Sequence, residues 1–299
     1  MKASDNIYIK LTLPVSEDGS LSLDQKISRS FGEKLSESYN NAEPFPHIVI
    51  DDFLPISFAE ELLKLFPLNS LSSDEFYEEG YTGLHKRQIS PESCVGRVRN
   101  IFHFFNSAPI LQFLEGLTSI NSLIGDPYFN GGGFHETSHG GKLGIHADFR
   151  INKKLNLSRR INMIIYLNKD WNESYGGNLE LWDSGMRRKF DSIAPIFNRC
   201  VIFNTNADSY HGHPDPLVLP DYLTRKSIAL YFYTASKSIY KDIPAHSTMY
   251  VARQNDSLDL KRQVSKLRRQ NYLNDWLPPI AFRLLSNVKK VIKKYCWVR

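Results

Sequence analysis

The sequence predicts a mainly β fold with flanking α-helices, of the sandwich or jelly-roll kind. Two observations carry this. Between Tyr128 and Thr234, short segments rich in Ile, Val, Tyr and Phe alternate with clusters of Gly, Asp, Asn and Pro. These segments recur at roughly 8–20-residue spacing, which suits many short strands better than the helix-bearing crossovers of a βαβ sheet. A third observation bounds the answer: the 299 residues are 41% hydrophobic and 12% aromatic, so a sizeable core is available. A wholly disordered chain and a collagen-like repeat are thereby excluded.

Taken in order, residues 1–45 are polar and read as an N-terminal arm, with an apolar patch at Ile7–Leu13 suited to an outer strand. His47–Leu54 reads as a buried strand turning at Pro55. Ser57 and Glu60 then have capping-box spacing before an apolar helix that ends at Pro67. A second helix is predicted over Ala108–Ser119, where Leu111, Leu114 and Glu115 fall at helical spacing. Strands are predicted at Leu143–Phe149, Ile161–Leu167, Asn178–Trp182, Ile193–Phe197, Cys200–Phe203 and Arg225–Thr234. The main domain is therefore expected over 46–243, followed by a basic amphipathic helical tail over 244–299 that Pro278 and Pro279 punctuate.

The net charge of +5 is unevenly spread. From Arg253 onward there are 12 basic and 3 acidic residues, a net +9; the preceding part holds 25 and 29, a net −4. A mildly acidic body argues against nucleic acid as a partner. In the tail, Ile280, Leu284, Val288, Val291, Ile292 and Tyr295 recur at helical spacing beside Lys289, Lys290, Lys293 and Lys294. Two readings stay open for 280–297: peripheral contact with a membrane or an acidic partner, or packing on the protein's own body. Cys94, Cys200 and Cys296 are too few and too scattered for a disulfide framework or a Cys-rich zinc site. The N-terminus lacks the apolar stretch of a signal peptide, and no apolar run nears the ~18 residues of a membrane span. A cytoplasmic protein is expected.

The chemistry-bearing residues begin with His146 and Asp148. Side chains alternate along a strand, so these two project to one side while Ala147 points away. An imidazole and a carboxylate on one face are two members of the 2-His-1-carboxylate triad that holds Fe(II) with open positions. Downstream, His211 and His213 offer the missing imidazole, and spacing alone leaves both open. Further on, Arg225, Ser227, Ala229 and Tyr231 share one strand face, opposed by Ile228, Leu230 and Phe232. An inward guanidinium calls for an anionic partner, and a ligand carboxylate meets Arg through two parallel hydrogen bonds. Gly131, Gly132 and Gly133 lack the Lys-Ser/Thr of a phosphate loop. They read as a turning segment at the site mouth, with His135 as a candidate substrate contact. His85, His103 and His139 read as surface or hydrogen-bonded residues, and Cys200 as a small buried hydrophobe.

On these residues the sequence resembles the iron(II)- and 2-oxoglutarate-dependent dioxygenases, in their prolyl 4-hydroxylase-like branch. The segment Ile161–Trp171 followed by Gly176–Trp182 is similar to the strand–loop–Gly-Gly–strand block of the hypoxia-inducible-factor prolyl hydroxylases, and Pro195–Phe203 to the strand before their distal histidine. The resemblance covers about Tyr128–Thr234, with His47–Pro67 looser. It implies a double-stranded β-helix, a jelly roll, in which His146, Asp148 and His211 hold the iron. It also implies that Arg225 and Tyr166 hold the distal carboxylate of 2-oxoglutarate, with Ser227 beside them and Leu179 and Ile164 lining the pocket. The implied cosubstrates are 2-oxoglutarate and O2, with ascorbate (vitamin C) as an accessory reductant. Asp148, which halogenating relatives lack, implies hydroxylation of an aliphatic C–H with release of succinate and CO2. The implied substrate is a prolyl or other peptidyl residue. A small metabolite or a glycan- or lipid-linked precursor stays open, as does a non-catalytic cupin-like module that binds metal or acid only. The 14-residue interval from His211 to Arg225 is longer than in the hypoxia-sensing enzymes.

Overall fold

The computed structural model describes residues 9–16, 21–69, 74–77, 83–152, 154–235 and 248–276. Fourteen strands appear in it. The first five are β1 (Ile9–Lys10), β2 (His47–Asp51), β3 (Glu75–Tyr77), β4 (Leu84–Ile89) and β5 (Ile124–Gly125). The central ones are β6 (Gly133–Ala147), β7 (Ile151–Asn152), β8 (Leu157–Tyr166), β9 (Leu179–Trp182) and β10 (Lys189–Ile193). Last come β11 (Cys200–Asn204), β12 (Tyr210–His213), β13 (Arg225–Ala235) and β14 (Met249–Tyr250). Five α-helices flank them: α1 (Gln25–Asn40), α2 (Ile56–Lys64), α3 (Gly96–Phe105), α4 (Ala108–Thr118) and α5 (Leu258–Trp276).

The strand order β1-β2-β11-β8-β13-β6-β12-β9-β10 is one path curled into two facing layers. β6 joins them. Its first part pairs β4 and β13 in the larger layer, and its last part pairs β12 and β14 in the smaller. The switch occurs where Gly140 has φ 72°, and a Cβ on Gly141 would sit 2.8 Å from the Leu84 carbonyl oxygen. The expected jelly-roll core is the observed one.

Alternation explains which face of the larger layer meets what. Ile161, Met163 and Ile165 of β8, Cys200 and Ile202 of β11, and Ile228, Leu230 and Phe232 of β13 pack in one apolar cluster with residues of α2, α3 and α4. The intervening residues Val201, Phe203, Tyr166 and Ile164 form a second cluster with Leu179, Leu181 and Ile193 of the smaller layer. Both faces are buried, as strands covered by helices on one side and a sheet on the other require. On the helical side, α1 and α4 cross so closely that a Cβ on Gly32 would lie 2.1 Å from the Phe113 carbonyl oxygen.

Several expectations shift. The strand expected at Ile193–Phe197 ends at Ile193 instead and begins at Lys189, because Ile196 and Arg199 turn back in local backbone hydrogen bonds to Ala194 and Ile196. The capping box at Ser57 does not form: α2 starts one residue earlier, at Ile56, with Pro55 in the cap position and no side-chain cap bond. The predicted segment Leu143–Phe149 falls on the last third of the 15-residue β6, which ends at Ala147. Residues 25–40, read from sequence within the arm, form α1, which starts at the Asp24 cap and buries Ser28, Gly32 and Tyr39. In α5, Leu260, Val264 and Leu267 turn inward at helical spacing, and apart from the half-buried Lys261 their neighbours are exposed. The apolar and lysine stripes of 280–297 lie outside the described residues. No helix among the described residues is long and apolar enough to cross a membrane.

Candidate active site

Between the two layers lies a cavity of about 240 Å³, and it gathers every sequence-predicted site residue: His135, His146, Asp148, Ile164, Tyr166, Leu179, His211, Arg225 and Ser227. His213 lines it too.

One end is built from β6 and β12, which place His146 and His211 directly opposite each other. His146 donates from Nδ1 to the Gly144 carbonyl at 2.8 Å, and His211 from Nδ1 to the Ser209 carbonyl at 3.0 Å. A carbonyl can only accept, so each ring carries its proton on Nδ1 and leaves Nε2 as a lone-pair donor. Both Nε2 atoms face Asp148: His146 Nε2 is 3.7 Å from Oδ1 and His211 Nε2 is 3.6 Å from Oδ2. Ligand atoms of the three residues all lie within 4.8 Å of one another, and among the described residues this is the metal-capable trio. His213 stays outside it. Its ring is buried, and its Nδ1 has no hydrogen-bond partner among the described residues.

Electrostatics keep the trio ready for a cation. Burial pushes His146 down to about 3, with the neighbouring His211 adding to the effect, so the imidazole is neutral at physiological pH. Burial likewise lowers His211. For Asp148 burial works upward, but Arg159, His211, His146 and Asn162 outweigh it and hold the carboxyl well below the usual carboxylate range. Two neutral imidazoles and one carboxylate around a common point fit a divalent metal with open positions, the donor set used for Fe(II).

Arg159 and Asn162 are among the site residues that the sequence did not reveal, with Lys86 of β4. Asn162 Nδ2 donates to Asp148 Oδ2 at 2.7 Å, and Arg159 lies 3.1 Å from the same oxygen. Arg159 also donates twice to Asn162 Oδ1, at 3.0 and 2.7 Å, and its guanidinium lies 3.6 Å from the Tyr231 ring centroid. Strict alternation would set Arg159 and Asn162 on opposite faces. A register shift prevents this: Phe232 pairs with Ile161 but Tyr233 with Arg159, so Arg160 is an extra residue on β8. Such a bulge re-aims the side chains beyond it. The signal in the sequence was a polar Asn162 inside an apolar strand.

The other end is built from β13, β8 and the Gly176-Gly177 turn. Arg225, Ser227, Ala229 and Tyr231 all line the cavity, as the shared face predicts. Arg225 is 6% exposed. Its Nε donates to the Gly177 carbonyl at 2.8 Å and Nη2 to the Tyr166 hydroxyl at 3.4 Å, with no carboxylate within ion-pair distance among the described residues. Gly177 has φ +72°, and a Cβ there would meet Leu217 Cδ2 at 2.4 Å and Arg225 Cδ at 3.1 Å. Glycine is what this close approach permits. A buried guanidinium without an acid, beside the Tyr166 and Ser227 side chains, fits a ligand carboxylate.

Of the remaining histidines, His135 turns Nε2 to the Gly131 carbonyl at 3.0 Å, and Tyr231 donates to the same oxygen at 2.9 Å. His85 bonds to the His139 carbonyl and His139 to that of Leu219, while His103 is exposed near Glu92. Cys200 is fully buried in β11.

Three solved structures are similar in part. A prolyl hydroxylase from Trichoplax adhaerens, in complex with a hypoxia inducible factor oxygen degradation domain peptide fragment, is 17% identical over 72% of this chain and 95% of that chain, with a TM-score of 0.47. A Pseudomonas putida prolyl-4-hydroxylase is 14% identical over 68% and 98%, at 0.49. A prolyl 4-hydroxylase from Phytophthora capsici is 17% identical over 94% and 92%, at 0.47. The 2OG-Fe(II) oxygenase superfamily model matches residues 132–233, the stretch that carries His146, Asp148, His211 and Arg225. Over that stretch the chain is similar to the 2OG-Fe(II) oxygenase superfamily.

Proposed function

We propose that the protein hydroxylates an aliphatic C–H of a peptidyl residue or small molecule, with His146, Asp148 and His211 holding iron and Arg225 holding 2-oxoglutarate. The observation that carries this reading is the pairing of two complementary vacancies of charge: a neutral-His, ionised-Asp trio at one end and a guanidinium without an acid at the other. Iron with 2-oxoglutarate and dioxygen supplies the oxidising chemistry, putting one oxygen atom into the substrate C–H and the other into succinate as CO2 is lost.

The chain's own residues do the positioning. The Gly144 and Ser209 carbonyls fix the imidazole tautomers, and Asn162 with Arg159 anchors Asp148 Oδ2. That anchoring leaves Asp148 Oδ1 on the side of His146. Outer partners of this kind orient ligands and tune the metal. Arg225 and the Tyr166 hydroxyl supply donors for the far carboxylate, while Ile164 and Leu179 give an apolar wall along the keto acid's methylenes. Asp148 supports hydroxylation over halogen transfer, since its carboxylate takes the position a halide would need. The 240 Å³ cavity is smaller than the ~300–1,000 Å³ of many ligand sites, so a residue-sized part of the substrate enters beside the keto acid.

The test is succinate formation from 2-oxoglutarate with Fe(II), oxygen and ascorbate. The wild type is expected to turn over, and Asp148→Ala and His211→Ala to lose nearly all activity while His213→Ala retains it. Wild-type protein that binds metal and 2-oxoglutarate yet forms no succinate with any substrate candidate would mark a binding module instead.

A further inference from the structure

The charges lining the cavity do not balance once iron and 2-oxoglutarate are placed in it. The described lining holds three cationic side chains, Lys86, Arg159 and Arg225, against one carboxylate, Asp148. Burial, then the charge of Lys86, pushes His135 well down, so it adds no positive charge to the lining. A ferrous ion and doubly ionised 2-oxoglutarate cancel each other. Two positive charges are then left in a water-poor site. Arg159 already has Asp148, and Arg225 has the keto acid on the oxygenase reading. Lys86 has neither.

Lys86 stands on the far side of β6 from Arg225. Thr137 of β6 pairs with Lys86 on one side and Arg225 on the other, so the two cations belong to strands separated by a third. Arg225 leans the opposite way, to Gly177 and Tyr166. The Lys86 ammonium lies 5.5 Å from the Tyr77 ring centroid, no carboxylate forms an ion pair with it among the described residues, and Asp148 acts on it only at longer range. An ammonium held in a partly desolvated wall without an acid is costly unless an anion arrives with the ligand. The same walls focus the field of the excess charge onto whatever enters.

We propose that the substrate presents an anionic group, a carboxylate or a phosphate, to Lys86 while its reacting carbon faces the His146–Asp148–His211 trio. This rests on the oxygenase reading and names the substrate class within it. Lys86 is then the specificity-determining residue on the β4 wall, and uncharged counterparts of the substrate bind poorly.

The test uses the full chain loaded anaerobically with Mn(II) and 2-oxoglutarate. Calorimetric titration is carried out with N-acetyl amino acids against their amides, and with phosphoserine and glycerol 3-phosphate against serine and glycerol. At least one acid or phosphate is expected to bind ten-fold or more tightly than its neutral counterpart. Lys86→Met is expected to erase that preference, Lys86→Arg to restore part of it, and the 2-oxoglutarate affinity of all three proteins to agree within about three-fold. Carboxylate-bearing and phosphate-bearing binders distinguish the two sources of the anion. Equal binding of acids and amides, or no binding by any anion, overturns the proposal alone. So does a ten-fold loss of 2-oxoglutarate affinity in Lys86→Met with the anion preference intact. Failure of the wild type to bind 2-oxoglutarate with Mn(II) overturns the oxygenase reading and the proposal together.

Discussion

Arg159 and Arg225 occupy neighbouring strands, face one cavity and are buried alike, at 3% and 6% exposure, yet their surroundings are opposite. Arg159 is saturated: Asp148 meets its charge, Asn162 takes two of its hydrogen bonds, and Phe149 and Tyr231 flank its plane. Arg225 has a backbone carbonyl and a tyrosine hydroxyl, and no acid. Burying a guanidinium costs several kcal/mol unless paired, so the first is part of the scaffold and the second waits for a ligand. Residue type and burial alone do not separate the two roles. The partner inventory does.

The sharpest way to break this comparison is to remove each arginine and read two affinities. Arg225→Ala leaves the keto acid's carboxylate unpaired in a confined site, a truncation that costs on the order of 2–5 kcal/mol. The expected outcome is a Kd for 2-oxoglutarate raised at least about thirty-fold with Mn(II) affinity nearly unchanged, and partial recovery in Arg225→Lys. Arg159→Leu is expected to show the mirror pattern. It frees Asp148 from its anchor, so Mn(II) affinity falls by roughly 10–100-fold, the usual penalty for losing an outer partner of a metal ligand. Its 2-oxoglutarate affinity, measured at saturating metal, stays within a few-fold. Equal patterns for the two variants would show that the site is one coupled network.

A pH dependence follows from the histidines of the trio. His146 sits at about 3 in the folded protein through burial and His211, against ~6.5 when unfolded. Between those values the unfolded chain binds the proton and the folded one does not, so folding stability falls as pH falls. The slope for His146 approaches about 1.4 kcal/mol per pH unit, starting below pH 6.5 and ending near pH 3. Thermal unfolding of the metal-free protein across pH 7–4 checks this, with His146→Gln expected to flatten the curve. Arg159 and Arg225 stay charged throughout and add nothing to this slope, whereas His211, His135 and His213, lowered by burial in the same direction, add to it.

These differences also mark how far the amino-acid sequence reaches by itself. Strand periodicity was sufficient to put His146 with Asp148, and Arg225 with Ser227, Ala229 and Tyr231, because a period of two survives any tertiary arrangement in which the strand stays regular. The Ile228, Leu230 and Phe232 face found its helices for the same reason. Wherever the strand was irregular, the reading failed or stayed open. Arg159 reaches Asp148 only through the extra residue at Arg160, a bulge that local sequence does not announce. His211 and His213 share a face and differ by two residues; only the pairing of His211 with His146 across β6 and β12 separates the ligand from its neighbour. Lys86, in a strand that sequence reasoning did not predict, meets the cavity because β4 pairs with β6. Side-chain direction within a regular strand is a local property of the backbone, and there the sequence alone determined it. Which strands become neighbours, and hence which charges must find partners, depends on contacts between residues far apart in the chain, and only the tertiary structure decided that.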